Sequence, residues 1–389
     1  MPKKILLLRF TPEDGNPNQY NIQEIGIGKA FCRLGYDYDH ICFRKNNQRN
    51  YVFYEYNGCK ARYIELPRIR FFRMGFNKAL LNKEFLNNYD IIICREYYQI
   101  MSYLISQKHS NVSLYSGPYW NMFMLKFTSH IYDWLFTKSI NRNMKAKFVK
   151  SDLAKIFLEK KGYTNVINVG VGLDMEKFED KSEIEPSTQA IVDYMTNFPC
   201  ILFVGTICDN KNFPLLLDTY KLILNKNKDV KFVIIGKSKQ TWLAKLLGKS
   251  DESYMADVLV KYPTSLIENI LFVQEINNSQ LKFIYPLAKA FLLPSKHEIF
   301  GMVLLEAMYL GAPVVTSING GSVTLIGSDG PGQIVGDYNP NKWADAVMQY
   351  ITQPDKVKDV THRANMLIKE QYNWDSIAQK MLFYINKNG

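Results

Sequence analysis

No apolar run in the 389-residue chain approaches the ~18–20 residues that a bilayer-spanning helix requires, so no membrane span is expected. The opening Met1-Pro2-Lys3-Lys4 and Ile5–Leu8 are basic then apolar, but too short for a signal peptide. Arg9 interrupts them, and they read as a first buried strand. Six cysteines (Cys32, Cys42, Cys59, Cys94, Cys200, Cys208) form no CxxC pair and no other metal-ligand spacing, which fits a reducing cytosol. The few histidines (His40, His109, His130, His297, His362) sit in no evident acid/base pair. There is no low-complexity tract, no short internal repeat, and no helix-turn-helix, RNA-recognition or zinc signature.

What is present has a globular balance, 47% apolar and 22% charged residues, and the length suits two domains of roughly 150–200 residues. Charge is uneven. Residues 1–150 hold 23 Lys+Arg against 11 Asp+Glu, a net of +12, while the remainder is close to neutral at −1. A field of that sign suits an anionic partner: a membrane surface, a phosphate-bearing substrate or nucleic acid.

Short β-rich apolar runs alternate with helical patterns. Lys4–Leu8, Tyr38–Phe43, Ile91–Cys94, Val112–Tyr115, Lys147–Val149 and Val166–Asn168 read as strands, with a helical segment Ile22–Leu34 stopped by Gly35. The second half repeats the alternation with Ile201–Gly205, Phe232–Gly236, Ile270–Val273, Ala290–Leu293 and Val314–Ser317, and helix Phe213–Leu224. Strand–helix alternation predicts parallel sheets covered on both faces, and two such series predict two Rossmann-like, doubly wound domains. The polar stretch 174–198 is the expected linker. That gives an N-terminal domain 1–173, a C-terminal domain 199–372 and a terminal amphipathic helix 373–389.

The run "KHEIFGMVLLEAMYLGAP" (296–313) holds two carboxylates, Glu298 and Glu306, in apolar surroundings. A buried, unpartnered carboxylate is costly. With a helix starting near Phe300–Gly301, Glu298 lies on the loop leaving a strand and Glu306 in the second helical turn. First-turn N–H groups of Gly301, Met302 and Val303 face the carboxyl edge of a parallel sheet and favour an anion. A phosphate cradle flanked by two hydroxyl acceptors matches a nucleoside diphosphate sugar. The bland alternative is a helix-capping carboxylate bound to an arginine. In "FVGTICDNKNF", Gly205 and Thr206 follow a strand and Lys211 begins the next helix, where its charge could stabilise a leaving diphosphate; a solvated lysine is the alternative.

On these residues the chain resembles the retaining family-4 glycosyltransferases of GT-B fold, of bacterial surface-polysaccharide type. "LPSKHEIFGMVLLEAMYLGAPVVTSINGG" is similar to their E-x7-E signature. "LFVQEINNSQLKFIY", "KFVKSDLAKIFLEKKGYTNVINVGVGLD" and the terminal "NWDSIAQKMLFY" fall in the expected order. The resemblance implies two domains facing across a cleft, a last helix crossing back to the N-terminal domain, donor binding by the C-terminal domain, retention of anomeric configuration, and no metal or other cofactor. It assigns donor contacts to Gly205, Thr206, Lys211, Gly236, Gln274, Glu298, Phe300, Gly301, Met302, Val303 and Glu306, with Glu298 and Lys211 in the catalytic roles. Two departures stand out: Thr206 replaces the usual arginine, and Ser116-Gly117 replaces the usual His-Gly turn. On the acceptor side Gly15, Asn16, Arg95, Glu96, Ser116 and Gly117 are candidates; a plain buried Arg95–Glu96 pair is the alternative. Asp37-Tyr38-Asp39 has metal-binding D-x-D spacing but reads as a solvated turn.

Basic residues interleave with aromatics over 68–85 and 119–147, which suits an anionic membrane face or simply a solvated face of the domain. The expected function is transfer of a hexose from a nucleotide sugar, UDP by assumption, to a lipid-linked or anionic glycan. The expected setting is cytoplasmic, peripheral at the inner face of the cell membrane, with no nucleic-acid partner. Two alternatives are a nucleotide-sugar epimerase and a non-catalytic basic membrane or nucleic-acid binder.

Overall fold

The computed structural model describes residues 2–11, 13–14, 22–71, 74–123, 125–239 and 254–387. The chain divides into two compact units. The first comprises Met1–Asp174 and Gln371–Gly389, the second Met175–Glu370.

The first unit is built on an eight-stranded sheet. In chain order its strands are β1 (Lys4–Leu8), β2 (Asp37–Phe43), β3 (Asn50–Tyr56) and β4 (Cys59–Leu66), then, after a small hairpin β5 (Ile69–Phe71)–β6 (Met74–Phe76), β7 (Ile91–Arg95), β8 (Val112–Ser116), β9 (Met144–Val149) and β10 (Val166–Asn168). Their spatial order is β10-β9-β8-β7-β1-β2-β4-β3, parallel except for the β3–β4 pair. Leu6, Leu8, Ile92, Cys94, Val112, Leu114 and Val149 face one apolar core. The opposite side is closed partly by helix Trp374–Lys387, which buries Trp374, Ile377, Ala378, Met381, Leu382 and Ile385 at helical spacing. The chain enters it through the hydrogen bond from Leu173 N–H to Tyr372 O at 2.7 Å, and Arg33 pairs with Asp375 at 2.8 Å.

The second unit carries six parallel strands, β11 (Cys200–Val204), β12 (Lys231–Ile235), β13 (Ile270–Val273), β14 (Ala288–Leu293), β15 (Val314–Ser317) and β16 (Gln333–Val335), ordered β13-β12-β11-β14-β15-β16. Helices Phe213–Lys226 and Pro340–Thr352 cover one face, burying Leu216, Tyr220, Trp343 and Val347.

The stretch 174–198 carries helices Glu176–Glu179 and Pro186–Asn197. Two sequence expectations are corrected. Asp37-Tyr38-Asp39 is no solvated turn but the start of β2. Asp39 is buried in an ion pair with Arg62 at 2.7 Å and Lys4 at 3.1 Å and accepts from Tyr89 at 2.7 Å. These partners hold its carboxyl below the usual range despite burial. In the 68–85 stretch Phe76 and Phe85 pack on the core, so they are not a surface stripe. Arg73 and Phe72 lie outside the described residues.

Candidate functional site

In a parallel sheet every loop leaving a strand's C-terminal end emerges at one edge. At that edge of the second unit stand Gly205 and Thr206 after β11, Gly236 after β12, Gln274 after β13 and Glu298 after β14. Gln274 is three strand positions from β14, about 14 Å at the usual strand spacing.

The β11 and β14 loops are tied to each other. Asn210 Nδ2 donates to His297 O (2.8 Å), His297 N to Asn210 Oδ1 (3.1 Å), and Lys296 N to Asn210 O (2.8 Å). Lys296 Nζ also donates to Asp209 Oδ1 at 2.7 Å. This lattice brings Lys211 onto Glu298 in a direct ion pair. Asn210, which does most of the tying, went unnoticed in the sequence; an Asn next to Asp209 in a loop signals a turn, not a bridge to a loop 87 positions away.

Gly236 closes the floor beneath them. Its φ is +153°, and a Cβ there would stand 1.9 Å from Gly205 O, so only glycine fits. Gly301 caps helix Met302–Tyr309 with φ +82°; a Cβ would press on Glu298 Cγ at 3.2 Å and Leu293 Cδ2 at 3.3 Å. The glycine thus lets the Glu298 loop lie directly against the helix start, where the N–H groups of Met302 and Val303 carry the positive end of the helix dipole. Phe300 is buried beneath that turn.

Glu306 is 0% exposed, on the same helix. It faces Tyr285, whose phenol is pushed well up by burial and by the nearby Glu306 charge. Tyr285 is a partner the sequence reading did not anticipate. Below the Glu298 loop, Ser317 Oγ donates to Ser295 O at 2.6 Å, and Asn319 caps helix Gly320–Leu325 by a reciprocal bond with Ser322.

In the first unit Arg95, Glu96, Ser116 and Gly117 do meet, at the corresponding edge. Glu96 has a left-handed backbone, φ +69°. Its Oε2 accepts from Ser116 Oγ and Gly117 N, both at 3.1 Å, and its Oε1 from Arg95 at 3.3 Å. Arg95 also pairs with buried Glu24 of helix Gln23–Arg33. So the buried Arg95–Glu96 pair is real, and Glu24 is its unforeseen third member. Gly15 and Asn16 lie outside the described residues. Among the described residues no group of three or more His, Cys, Asp or Glu is arranged to hold a metal ion.

The architecture places the chain among two-domain α/β proteins of GT-B glycosyltransferase fold. The trehalose-6-phosphate structure from E. coli bound with UDP-2-fluoro glucose matches with a TM-score of 0.74 at 11% identity, covering 99% of both chains. Anabaena Alr3699/HepE in complex with UDP and glucose matches at 0.67 with 14% identity, covering 99% of this chain and 100% of that one. In sequence, residues 191–374 match the family described as Glycosyl transferases group 1. The uncharacterized glycosyltransferase MJ1607 of Methanocaldococcus jannaschii is 27% identical over 240 residues, 60% of this chain and 57% of that protein. A D-inositol 3-phosphate glycosyltransferase of Gordonia bronchialis is 23% identical over 190 residues, 48% of this chain and 40% of the relative. The chain spans about half the length of the curated relatives it matches.

Proposed function

We propose that this chain is a glycosyltransferase that moves a hexose from a nucleoside diphosphate sugar, UDP-linked, to a glycan acceptor. The observation that carries the reading is the Lys211–Glu298 pair beside the Gly301-capped start of helix Met302–Tyr309. An ammonium and the N–H groups of a helix start, for a diphosphate, stand next to a carboxylate for sugar hydroxyls. Glu298 takes the sugar hydroxyls, Lys211 and the N–H groups of Met302 and Val303 the diphosphate, and Glu306 the ribose. The reading includes retention of configuration without a metal: the donor phosphate takes the acceptor proton as the diphosphate leaves, and Lys211 offsets the charge that develops. An epimerase would need a proton-abstracting base, and among the described residues Glu298, the carboxylate beside the helix start, is already paired with Lys211.

The test is a thermal-shift panel of nucleotide sugars followed by NMR of the transferred sugar's anomeric signal. One nucleotide sugar is expected to raise the melting temperature, and Glu306→Gln to remove that rise while melting as a folded protein. A panel with no stabilising nucleotide sugar overturns the reading.

We further infer a peripheral contact with an anionic bilayer through residues 125–135. Along the helical stretch Lys126–Asn143, Phe127 (60% exposed), Ile131, Trp134 (82%) and Leu135 follow one face, and Lys138 and Arg142 are exposed one turn on. Met124 lies outside the described residues, and no described helix is long and apolar enough to cross a membrane. Phe127→Ser with Trp134→Ser is expected to abolish co-sedimentation with vesicles rich in phosphatidylglycerol. Sedimentation equal to wild type would refute the contact.

A further inference from the structure

Register places Arg95, Tyr115 and Phe148 side by side on β7, β8 and β9. Strand side chains alternate between faces, so Lys150, two residues beyond Phe148, emerges on the same side of the sheet. Both cations lie against the Tyr115 ring, Lys150 Nζ at 5.3 Å and Arg95 Cζ at 5.8 Å from its centroid. Arg9, just past β1, is the third cation of the group and forms no ion pair among the described residues; its Nε donates to Thr11 Oγ1 at 2.9 Å.

Lys150 is 3% exposed, yet among the described residues its ammonium donates no hydrogen bond. Arg95 Nε is likewise buried without an acceptor. The two nearby carboxylates are already engaged: Glu24 with Arg95, and Glu96 with Arg95, Ser116 and Gly117. Buried ammonium and guanidinium groups normally have acceptors. Among the described residues three cations converge here with two carboxylates, Glu24 and Glu96, both already paired with Arg95, while Arg95 Nε keeps a buried donor without an acceptor.

We propose that Lys150, Arg95 and Arg9 bind an oxyanion (a carboxylate, phosphate or sulfate group) carried by the glycan acceptor. This deepens the glycosyltransferase reading and rests on it for the word acceptor; the anion site itself stands on the first unit alone. Burial and the neighbouring guanidiniums of Arg95 and Arg9 lower the Lys150 ammonium to about 7, with Glu96 opposing. Tyr115 is pushed up by burial and does not titrate in this range. An entering anion favours the protonated lysine, so binding takes up a proton near neutral pH and weakens by about tenfold per pH unit above 7.

The probe is inorganic sulfate, whose charge is constant between pH 6 and 9, titrated calorimetrically into the whole protein. Wild type is expected to bind sulfate with proton uptake and with that pH dependence. Lys150→Met is expected to lose at least about tenfold in affinity while melting no lower than wild type. Lys150→Arg, which keeps its charge at every pH used, is expected to bind with no pH dependence. Absence of sulfate binding, or a Lys150→Met variant that binds as wild type does, overturns the site. Donor hydrolysis measured on the same samples separates the two levels. If sulfate raises KM for the nucleotide sugar, the anion sits at the donor and the acceptor assignment falls. If sulfate binds while no nucleotide sugar is hydrolysed, the anion site survives and the glycosyltransferase reading does not.

Discussion

Replacing Lys211 by alanine is expected to lower sugar transfer and donor hydrolysis by about 10²- to 10³-fold, the loss typical of removing one preorganised group that stabilises developing negative charge. The expectation depends on the loop keeping its shape without the lysine. Asn210 and Asp209 hold it through bonds to His297 and Lys296 that do not involve the Lys211 side chain. The melting temperature should therefore move little. Truncation also takes from Glu298 the cation it pairs with. A Glu298→Ala, Lys211→Ala double variant should for that reason lose less than the sum of the single losses, since the two act as one unit. Lys211→Ala turning over within threefold of wild type would remove the diphosphate role.

The second large effect is on stability. Gly236→Ala is expected to destabilise the second unit by about 3–4 kcal/mol, overpacking and backbone strain together. The added methyl would overlap Gly205 O at 1.9 Å, and β11 cannot retreat because Gly205 N–H is bonded to Ile235 O at 2.9 Å. Denaturant midpoints of the two proteins decide this; coincident unfolding curves would show that the strands separate more easily than their hydrogen bonds suggest.

Much of the scaffold could be read in the residues because buried parallel strands leave continuous apolar runs: Ile201–Val204, Phe232–Ile235 and Ala290–Leu293 are all strand in the structure. The β3–β4 pair was missed. Its residues alternate aromatic with charged and β3 is largely exposed, so no apolar run marks it. A signal did exist: Asn57-Gly58 between two aromatic runs is a hairpin turn, and both residues have positive φ. On the second unit, Lys211 and Glu298 were each legible as candidates, but their ion pair was not, since it depends on β11 and β14 being neighbours. Lys150 and Glu24 were invisible for a different reason. Each is one charged residue beside an ordinary strand or helix start; only the pairing of β1 with β7 brings Glu24, and that of β7, β8 and β9 brings Lys150, beside Arg95. Asp39 was misjudged similarly, since its partners Arg62 and Tyr89 come from elements distant in sequence.

Because Gln371–Gly389 belongs to the first unit, the second unit is an insertion within the first. On the ribosome, nearly all of the first unit emerges before the helix that closes it, with the whole second unit made in between. Until Trp374, Ile377 and Met381 arrive, the face of helix Gln23–Arg33 that meets them stays wet. Nascent chains halted before residue 371 should therefore be the species that chaperones capture and proteases cut, and emergence of that helix should end the exposure.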